Sequence, residues 1–222
     1  MLLLGHRGAR NYAPENTIPA FELALQHGCD GIEFDVRRTS DGRSAVCHDR
    51  YFGGLEVCSN TFASLAAAES SLPTLEEVIT RFCTRAFLYI VLKVAGLEQI
   101  TLDALGRNPP QRGYVVASFL AEVISTMHAL DASVPLGLIC GRTHEFAVWP
   151  ELPVSYVMPR YTLVTRDMVD EFHAADRRVL VWTVNSERDI REMAKLGVDG
   201  MLSDDTILLR RTLPRSMFQQ QA

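Results

Sequence analysis

The chain has 222 residues, 47% of them hydrophobic, and a formal net charge of −5. That length suits one large domain with an ample core, and no Pro-, Ser- or Gly-rich tract marks a linker. The acidic balance argues against a nucleic-acid binder, whose signature is a basic face, and no apolar run is long enough to span a membrane.

The start, Met1-Leu2-Leu3-Leu4-Gly5-His6, lacks the basic segment and long apolar stretch of a signal peptide. The cysteines (Cys29, Cys47, Cys58, Cys83 and Cys140) are odd in number, scattered and without a CxxC pair. They read as reduced thiols of a cytoplasmic protein rather than a disulfide frame or zinc site.

In chain order, the first strand is predicted at residues 2–4 and ends in His6-Arg7. A helix over 17–27 follows, with Thr17 at its start and Gly28 as a left-handed stop. Strand 31–36 carries Glu33 and Asp35, which share one face because side chains alternate. Thr39-Ser40-Asp41-Gly42 is too short for a crossover helix, and Asp-Gly is a strong hairpin signal. Ala45-Val46-Cys47-His48 is therefore expected to fold back antiparallel on the second strand. A turn centred on Asp41-Gly42 would pair Asp35 with His48, roughly 4.5–5.5 Å apart at Cβ.

Further strands are predicted at 87–92, 114–117, 136–140, 155–158, 179–184 and 200–202. Helices are predicted at 74–84, 121–130, 166–175 and 187–196, the last stopped by Gly197. Eight strands alternating with helices point to parallel β-α units and a closed (β/α)8 TIM barrel, with an added hairpin strand after the second barrel strand. A doubly wound open sheet is the alternative, but it rarely needs eight such strands. The tail, 210–222, is expected to be weakly ordered and is assigned no function.

The chemistry gathers where strands end, which in a barrel is the catalytic face. Glu33 and Asp35 either form a solvated strand face or, placed inward, need a cation between two like charges; the flanking Ile32, Phe34 and Val36 favour the second, and hard oxygen ligands suit magnesium or calcium. His6 and His48 each end a strand converging on those carboxylates, so they are candidates for general base and general acid. His27, His128, His144 and His173 read as packed or surface residues. Asp49 either orients His48 or caps the turn. Arg7 offers a planar fork for a phosphate oxygen, or else a salt bridge across the mouth. Lys93, after an apolar run, is either a phosphate contact or the first residue in solvent. Trp182 would wall an alcohol pocket or pack in the core.

The order Gly5-His6-Arg7-Gly8, Pro14-Glu15-Asn16-Thr17, Glu33-Phe34-Asp35, His48-Asp49 resembles the glycerophosphodiester phosphodiesterase family. Leu72-Pro73-Thr74-Leu75-Glu76-Glu77-Val78, Ser118-Phe119, Trp182-Thr183-Val184-Asn185 and Val198-Asp199-Gly200-Met201-Leu202-Ser203-Asp204 resemble its later blocks, so the likeness covers nearly the whole chain. The resemblance implies metal-assisted cleavage of glycerophosphodiesters to sn-glycerol 3-phosphate and an alcohol, with magnesium, calcium or manganese as the metal. It further implies attack by the glycerol 2-hydroxyl, then opening of the cyclic phosphate by water. It implies His6 and His48 as the acid–base pair, Arg7 and Lys93 on phosphate, and Glu33 and Asp35 on the metal.

The family's third metal carboxylate is missing, because the expected E-x-K reads Val91-Leu92-Lys93. Glu98 and Asp204 are candidates to replace it. Arg50-Tyr51-Phe52-Gly53-Gly54 also departs from the family's polar stretch and implies a more open, apolar entrance. The rival readings are a lysophospholipase D-like or cyclic-phosphate-forming phosphodiesterase, and a catalytically impaired barrel that binds phosphorylated ligands.

Overall fold

A computed structural model of the protein describes residues 1–214. The chain runs through β1 (Leu2–Gly5), α1 (Ile18–Gln26), β2 (Gly31–Arg38), β3 (Ser44–Val46), β4 (Tyr51–Phe52), β5 (Leu55–Glu56), α2 (Phe62–Ala68) and α3 (Leu75–Phe82). It continues through β6 (Phe87–Leu92), α4 (Glu98–Arg107), β7 (Tyr114–Ser118), α5 (Ala121–Leu130), β8 (Leu136–Cys140) and β9 (Tyr156–Pro159). The last elements are α6 (Arg166–Ala174), β10 (Arg178–Val181), α7 (Glu187–Leu196), β11 (Gly200–Ser203) and α8 (Thr206–Thr212).

Eight strands, β1, β2 and β6 to β11, pair in parallel and close on themselves. Closure is the pairing of β1 with both β11 (Gly5 beside Ser203) and β2 (Gly5 beside Ile32), so the open sheet is excluded. The apolar run of β6 shows why the wall is stable. Leu88, Ile90 and Leu92 pack outward with the helices, whereas Phe87, Tyr89 and Val91 face the barrel interior with Leu4, Val115, Ala117, Ile139, Met158, Leu180 and Leu202. A strand buried on both faces must be apolar at every position, and this one is.

Side chains set the helix ends. Thr17 caps α1 by accepting from the Ala20 N–H, and Thr74 forms a reciprocal capping box with Glu77 on α3. Ser186 caps α7, which Gly197 ends in the left-handed conformation. Three further helices, α2, α4 and α8, were not given ranges from the sequence, although α4 fills the crossover that a (β/α)8 barrel requires between β6 and β7. The last includes Arg210–Thr212, assigned above to a loose tail; the rest of that expectation, from residue 215 on, lies outside the described residues. Between β8 and β9 the crossover is a 3₁₀ segment, Thr143–Glu151, instead of an α-helix.

The hairpin strand β3 does lie outside the barrel, antiparallel to β2, but its register is one residue from the predicted one. Val36 pairs with Val46 and Arg38 with Ser44, which sets Cys47, not His48, opposite Asp35. The reason is the turn. A two-residue Asp-Gly turn needs both residues left-handed, and here only Gly42 is, at φ +77°. The Thr39 N–H instead donates to the Arg43 carbonyl, closing a three-residue loop. Asp41 is held by the Thr39 hydroxyl (2.6 Å) and the Phe62 N–H (3.1 Å), a pairing with distant chain that hairpin rules do not anticipate.

Candidate active site

At the C-terminal ends of the barrel strands, His6, Arg7, Glu33, Asp35, His48, Lys93 and Trp182 surround one cavity with Tyr89, Val91 and Phe119. The structure therefore brings together every residue singled out for the site. His48 reaches it despite the shifted register because it lies beyond the last β2–β3 pair, where Arg37 Nε donates to its carbonyl oxygen at 2.7 Å.

Glu33 and Asp35 are each only 3% exposed. Burial, with the neighbouring Asp35 charge, pushes the Glu33 carboxyl up to about 7. Two residues with positive φ serve this pair. Arg7 (φ 54°) turns its backbone N–H onto Glu33 Oε2 at 2.7 Å, and Asn16 (φ 57°) grips Asp35 through both its side-chain amide and the Asp35 N–H, each at 3.1 Å. Left-handed non-glycine residues are uncommon, and here they aim donors at carboxylates.

The cations also converge on Asp35. Arg7 Nε lies 3.3 Å from Asp35 Oδ2, and Lys93 Nζ lies 3.5 Å from Oδ1. Arg7 Nη1 donates to Glu15 at 2.9 Å, while its buried Nε has no hydrogen-bond partner among the described residues. The salt bridge read for Arg7 is present, spanning the mouth to Glu15, and one N–H remains to be satisfied. Lys93 is not a free solvent residue, because it also sits 5.4 Å over the Phe119 ring. Trp182 stacks edge-on against Phe119 and donates from Nε1 to the Met158 carbonyl at 2.8 Å, which fixes it as a wall of the cavity.

The two histidines are held by different means. His6 Nδ1 lies 2.7 Å from Asp204 Oδ1, leaving Nε2 facing Glu33 Oε2 at 4.0 Å. Asp204 is half-buried, which alone would raise its carboxyl, but the His6 and Asn185 hydrogen bonds outweigh that and hold it below the usual range. An ionised Asp204 accepts the Nδ1–H and keeps the Nε2 lone pair free. His48 Nδ1 lies 2.7 Å from Asp49, so Asp49 orients the ring. Burial lowers the His48 imidazole from its ordinary value.

Asp204 is therefore the partner of His6, not a replacement metal ligand. Glu98 sits at the start of α4 and accepts from the Gly96 N–H at 2.7 Å, away from the cavity. Sequence reasoning missed Asp204, Asn16 and Asn185 as supports. The signal for Asp204 was available, because closing a barrel sets the end of the last strand beside the end of the first.

Val91 faces the cavity opposite Asp35, where the third carboxylate would stand. Among the described residues no cluster of three or more metal-ligating side chains occurs. Two donors still suit a hard cation. Glu33 Oε1 accepts no hydrogen bond from the described residues, and Asp35 Oδ1 faces only Lys93. The cavity holds about 60 Å³, enough for roughly four waters or substrate oxygens to complete a shell.

Comparison with known proteins gives a consistent result. The family model described as "Glycerophosphoryl diester phosphodiesterase family" matches residues 6–208. A glycerophosphodiester phosphodiesterase of Bacillus altitudinis is 30% identical over 91% of this chain and 94% of its own. Two solved structures share the fold. One is a glycerophosphodiester phosphodiesterase of Parabacteroides distasonis (TM-score 0.86, 23% identity, 99% of this chain and 98% of that one). The other is an Oleispira antarctica phosphodiesterase in complex with its product sn-glycerol-3-phosphate (TM-score 0.83, 23% identity, 96% of each chain). Among the described residues no helix is long and apolar enough to cross a membrane.

Proposed function

This chain belongs to the glycerophosphoryl diester phosphodiesterase family and is a phosphoric diester hydrolase; from that premise we propose metal-dependent cleavage of glycerophosphodiesters to sn-glycerol 3-phosphate and an alcohol, with His6 and His48 as the acid–base pair. The observation carrying this reading is the convergence of two histidines, two buried carboxylates and two cations on one cavity. Glu33 and Asp35 would hold the metal, magnesium or calcium by donor type with manganese also admissible. When bound, the ion supplies Lewis-acid polarisation of a glycerol hydroxyl and a phosphate oxygen.

The protein's own groups do the rest. Arg7 and Lys93, beside Asp35 at the cavity wall, orient the phosphate and meet its charge. The His6 Nε2 lone pair, turned toward the carboxylate floor, takes the proton of the attacking glycerol hydroxyl. His48, at the rim, gives a proton to the departing alcohol oxygen; a lowered imidazole value makes its charged form the stronger acid. Water then opens the cyclic phosphate with the roles reversed. Trp182 and Phe119 shield this side of the pocket. The five thiols, none paired with another, fit a reducing cytoplasmic setting.

The test is release of glycerol 3-phosphate from glycerophosphoglycerol and glycerophosphoethanolamine in magnesium, calcium, manganese and chelator, with His6→Ala as control. Metal-dependent release lost in the variant is the expected result. Equal release in chelator would remove the metal from the mechanism, and no release under any metal would remove the substrate assignment.

A further inference from the structure

A cleft of about 500 Å³ lies outside the barrel wall, between the ends of β2 and β6 and residues 50–58. It shares no lining residue with the cavity over Glu33 and Asp35. Val57, Val94 and Ala95 form its apolar surface, and every charged group on it is an arginine: Arg37, Arg38 and Arg50. An ordinary solvated face of a chain with net charge −5 carries both signs, so a concavity of one sign attracts anions.

Elsewhere the chain answers its arginines with carboxylates, Arg10 with Glu15, and Arg81 and Arg85 with Glu22. In the cleft only Arg50 is answered, by Glu56. Arg38 forms no hydrogen bond or ion pair with the described residues. Its side chain is nevertheless seated by backbone. It runs beside Gly42 (φ +77°) and Gly96 (φ +84°), where an added Cβ would stand 3.5 Å from Arg38 Nη2 and 3.4 Å from its Cδ. Arg37 gives Nε to the His48 carbonyl at 2.7 Å and enters no ion pair among the described residues, so its two Nη groups remain available. The Ser40 hydroxyl on the same lining also has no partner among the described residues.

Guanidinium forks take phosphate oxygens in pairs, and a hydroxyl adds a third donor. Two uncompensated cations, Arg37 and Arg38, match the charge of a phosphate monoester, roughly −1.5 to −2 at neutral pH. A diester, with a single charge and fewer free oxygens, uses the pair less fully.

We propose that this cleft is a second anion site, separate from the catalytic cavity, which binds a phosphate monoester through Arg37, Arg38 and the Ser40 hydroxyl. The site does not depend on the function proposed above. Arg37 ties it to the catalytic side all the same. The carbonyl that Arg37 holds belongs to the His48–Asp49 peptide group, so the Asp49 N–H senses whether the cleft is filled. A soluble monoester and a phosphatidate headgroup present the same chemistry to it.

The experiment follows backbone amide NMR signals of the full chain during titration with inorganic phosphate and with sn-glycerol 3-phosphate. It uses the wild type, Arg38→Gln, Arg38→Glu and Arg188→Glu. Saturable shifts are expected at the Ser40, Val94 and Asp49 N–H groups of the wild type. Arg38→Gln should raise the dissociation constant about threefold and Arg38→Glu about tenfold or more. Arg188→Glu makes the same change in net charge on the exposed surface of α7 and should leave the cleft shifts in place. Tyr89 and Val91, which line the catalytic cavity, report that site separately. Cosedimentation with phosphatidate vesicles, against phosphatidylcholine vesicles, identifies the source. Pelleting lost in Arg38→Glu assigns a lipid headgroup, and titration by the soluble anions alone assigns a free monoester. Shifts confined to Tyr89 and Val91 without phosphatidate-dependent pelleting overturn the site, as does equal loss in Arg38→Glu and Arg188→Glu. Shifts at Ser40 and Val94 with a still Asp49 N–H overturn the tie to His48 and uphold the site.

Discussion

His6 and His48 face the same cavity from two differently built sides. His6 continues a barrel strand, is 9% exposed, and leans on Asp204, whose other oxygen accepts from Asn185 at 2.7 Å and whose N–H donates to Asn185 at 2.9 Å. His48 follows a three-residue strand outside the barrel, with a side chain 31% exposed and a partner, Asp49, mostly in solvent. The barrel side is a chain of mutually satisfied groups running from buried His6 through half-buried Asp204 to exposed Asn185; the hairpin side is one exposed pair. Such a division suits an enzyme whose substrates share one half, the glycerol phosphate, and differ in the other.

The effects of substitutions on the two sides should differ in size. The largest effect should come from His6→Ala and His48→Ala, each lowering kcat by about 10²–10⁴-fold with the thermal unfolding curve unchanged; near-wild-type turnover in either removes that residue from the chemistry. Next, Asp204→Asn should cost on the order of 10–100-fold, because a hydrogen bond to a charged group, here sheltered by the buried His6, is worth about 1.5–3 kcal/mol. The matching Asp49→Asn should cost less than about threefold, since an exposed pair is screened. Equal losses in the two variants would erase the distinction between the sides.

Val91→Glu probes the barrel side directly. A carboxylate opposite Asp35 should lower the magnesium concentration for half-maximal rate on the order of tenfold. An unchanged titration would mean that position 91 does not face the metal.

The smallest effect lies away from the mouth, where Glu22 of α1 receives Arg81 and Arg85 and its carboxyl is lowered to about 2 from 4.5. Hydrogen bonding from Arg85 is the main cause. This stabilisation is complete above pH 4.5 and is lost as pH falls toward 2. Glu22→Gln should therefore lose roughly 1 kcal/mol at neutral pH, discounted for the half-exposed arginines, with the gap closing over that window. An acid-unfolding curve parallel to wild type at every pH would contradict it.

The barrel was legible because most of its strands are short, largely apolar runs. Residues 87–92 and 136–140 form the predicted strands without adjustment, since burial on both faces leaves no polar interruption. The helix α4 was not legible: it starts without a side-chain cap and contains Gly106, so neither periodicity nor punctuation announces it. The Asp41 turn was misread for the opposite reason. Its local signal was strong, but Phe62, 21 residues on, decides what the Asp41 side chain does. Of the site, the groups proposed to bear the chemistry stood in the sequence at strand ends. The groups that hold them, Asp204 and Asn16, are joined to them by closure of the ring and by left-handed backbone, which no local pattern encodes.

Asp204 follows His6 by 198 positions, and the two become neighbours only through pairing of the last strand with the first. During synthesis on a ribosome the imidazole therefore exists, with Glu33 and Asp35, long before its partner has been translated. A nascent chain holding seven barrel strands would carry nearly all the polar groups of the cavity and still leave His6, the proposed base, without the carboxylate that orients it, so the proposed hydrolytic competence would arrive only with the strand that closes the ring.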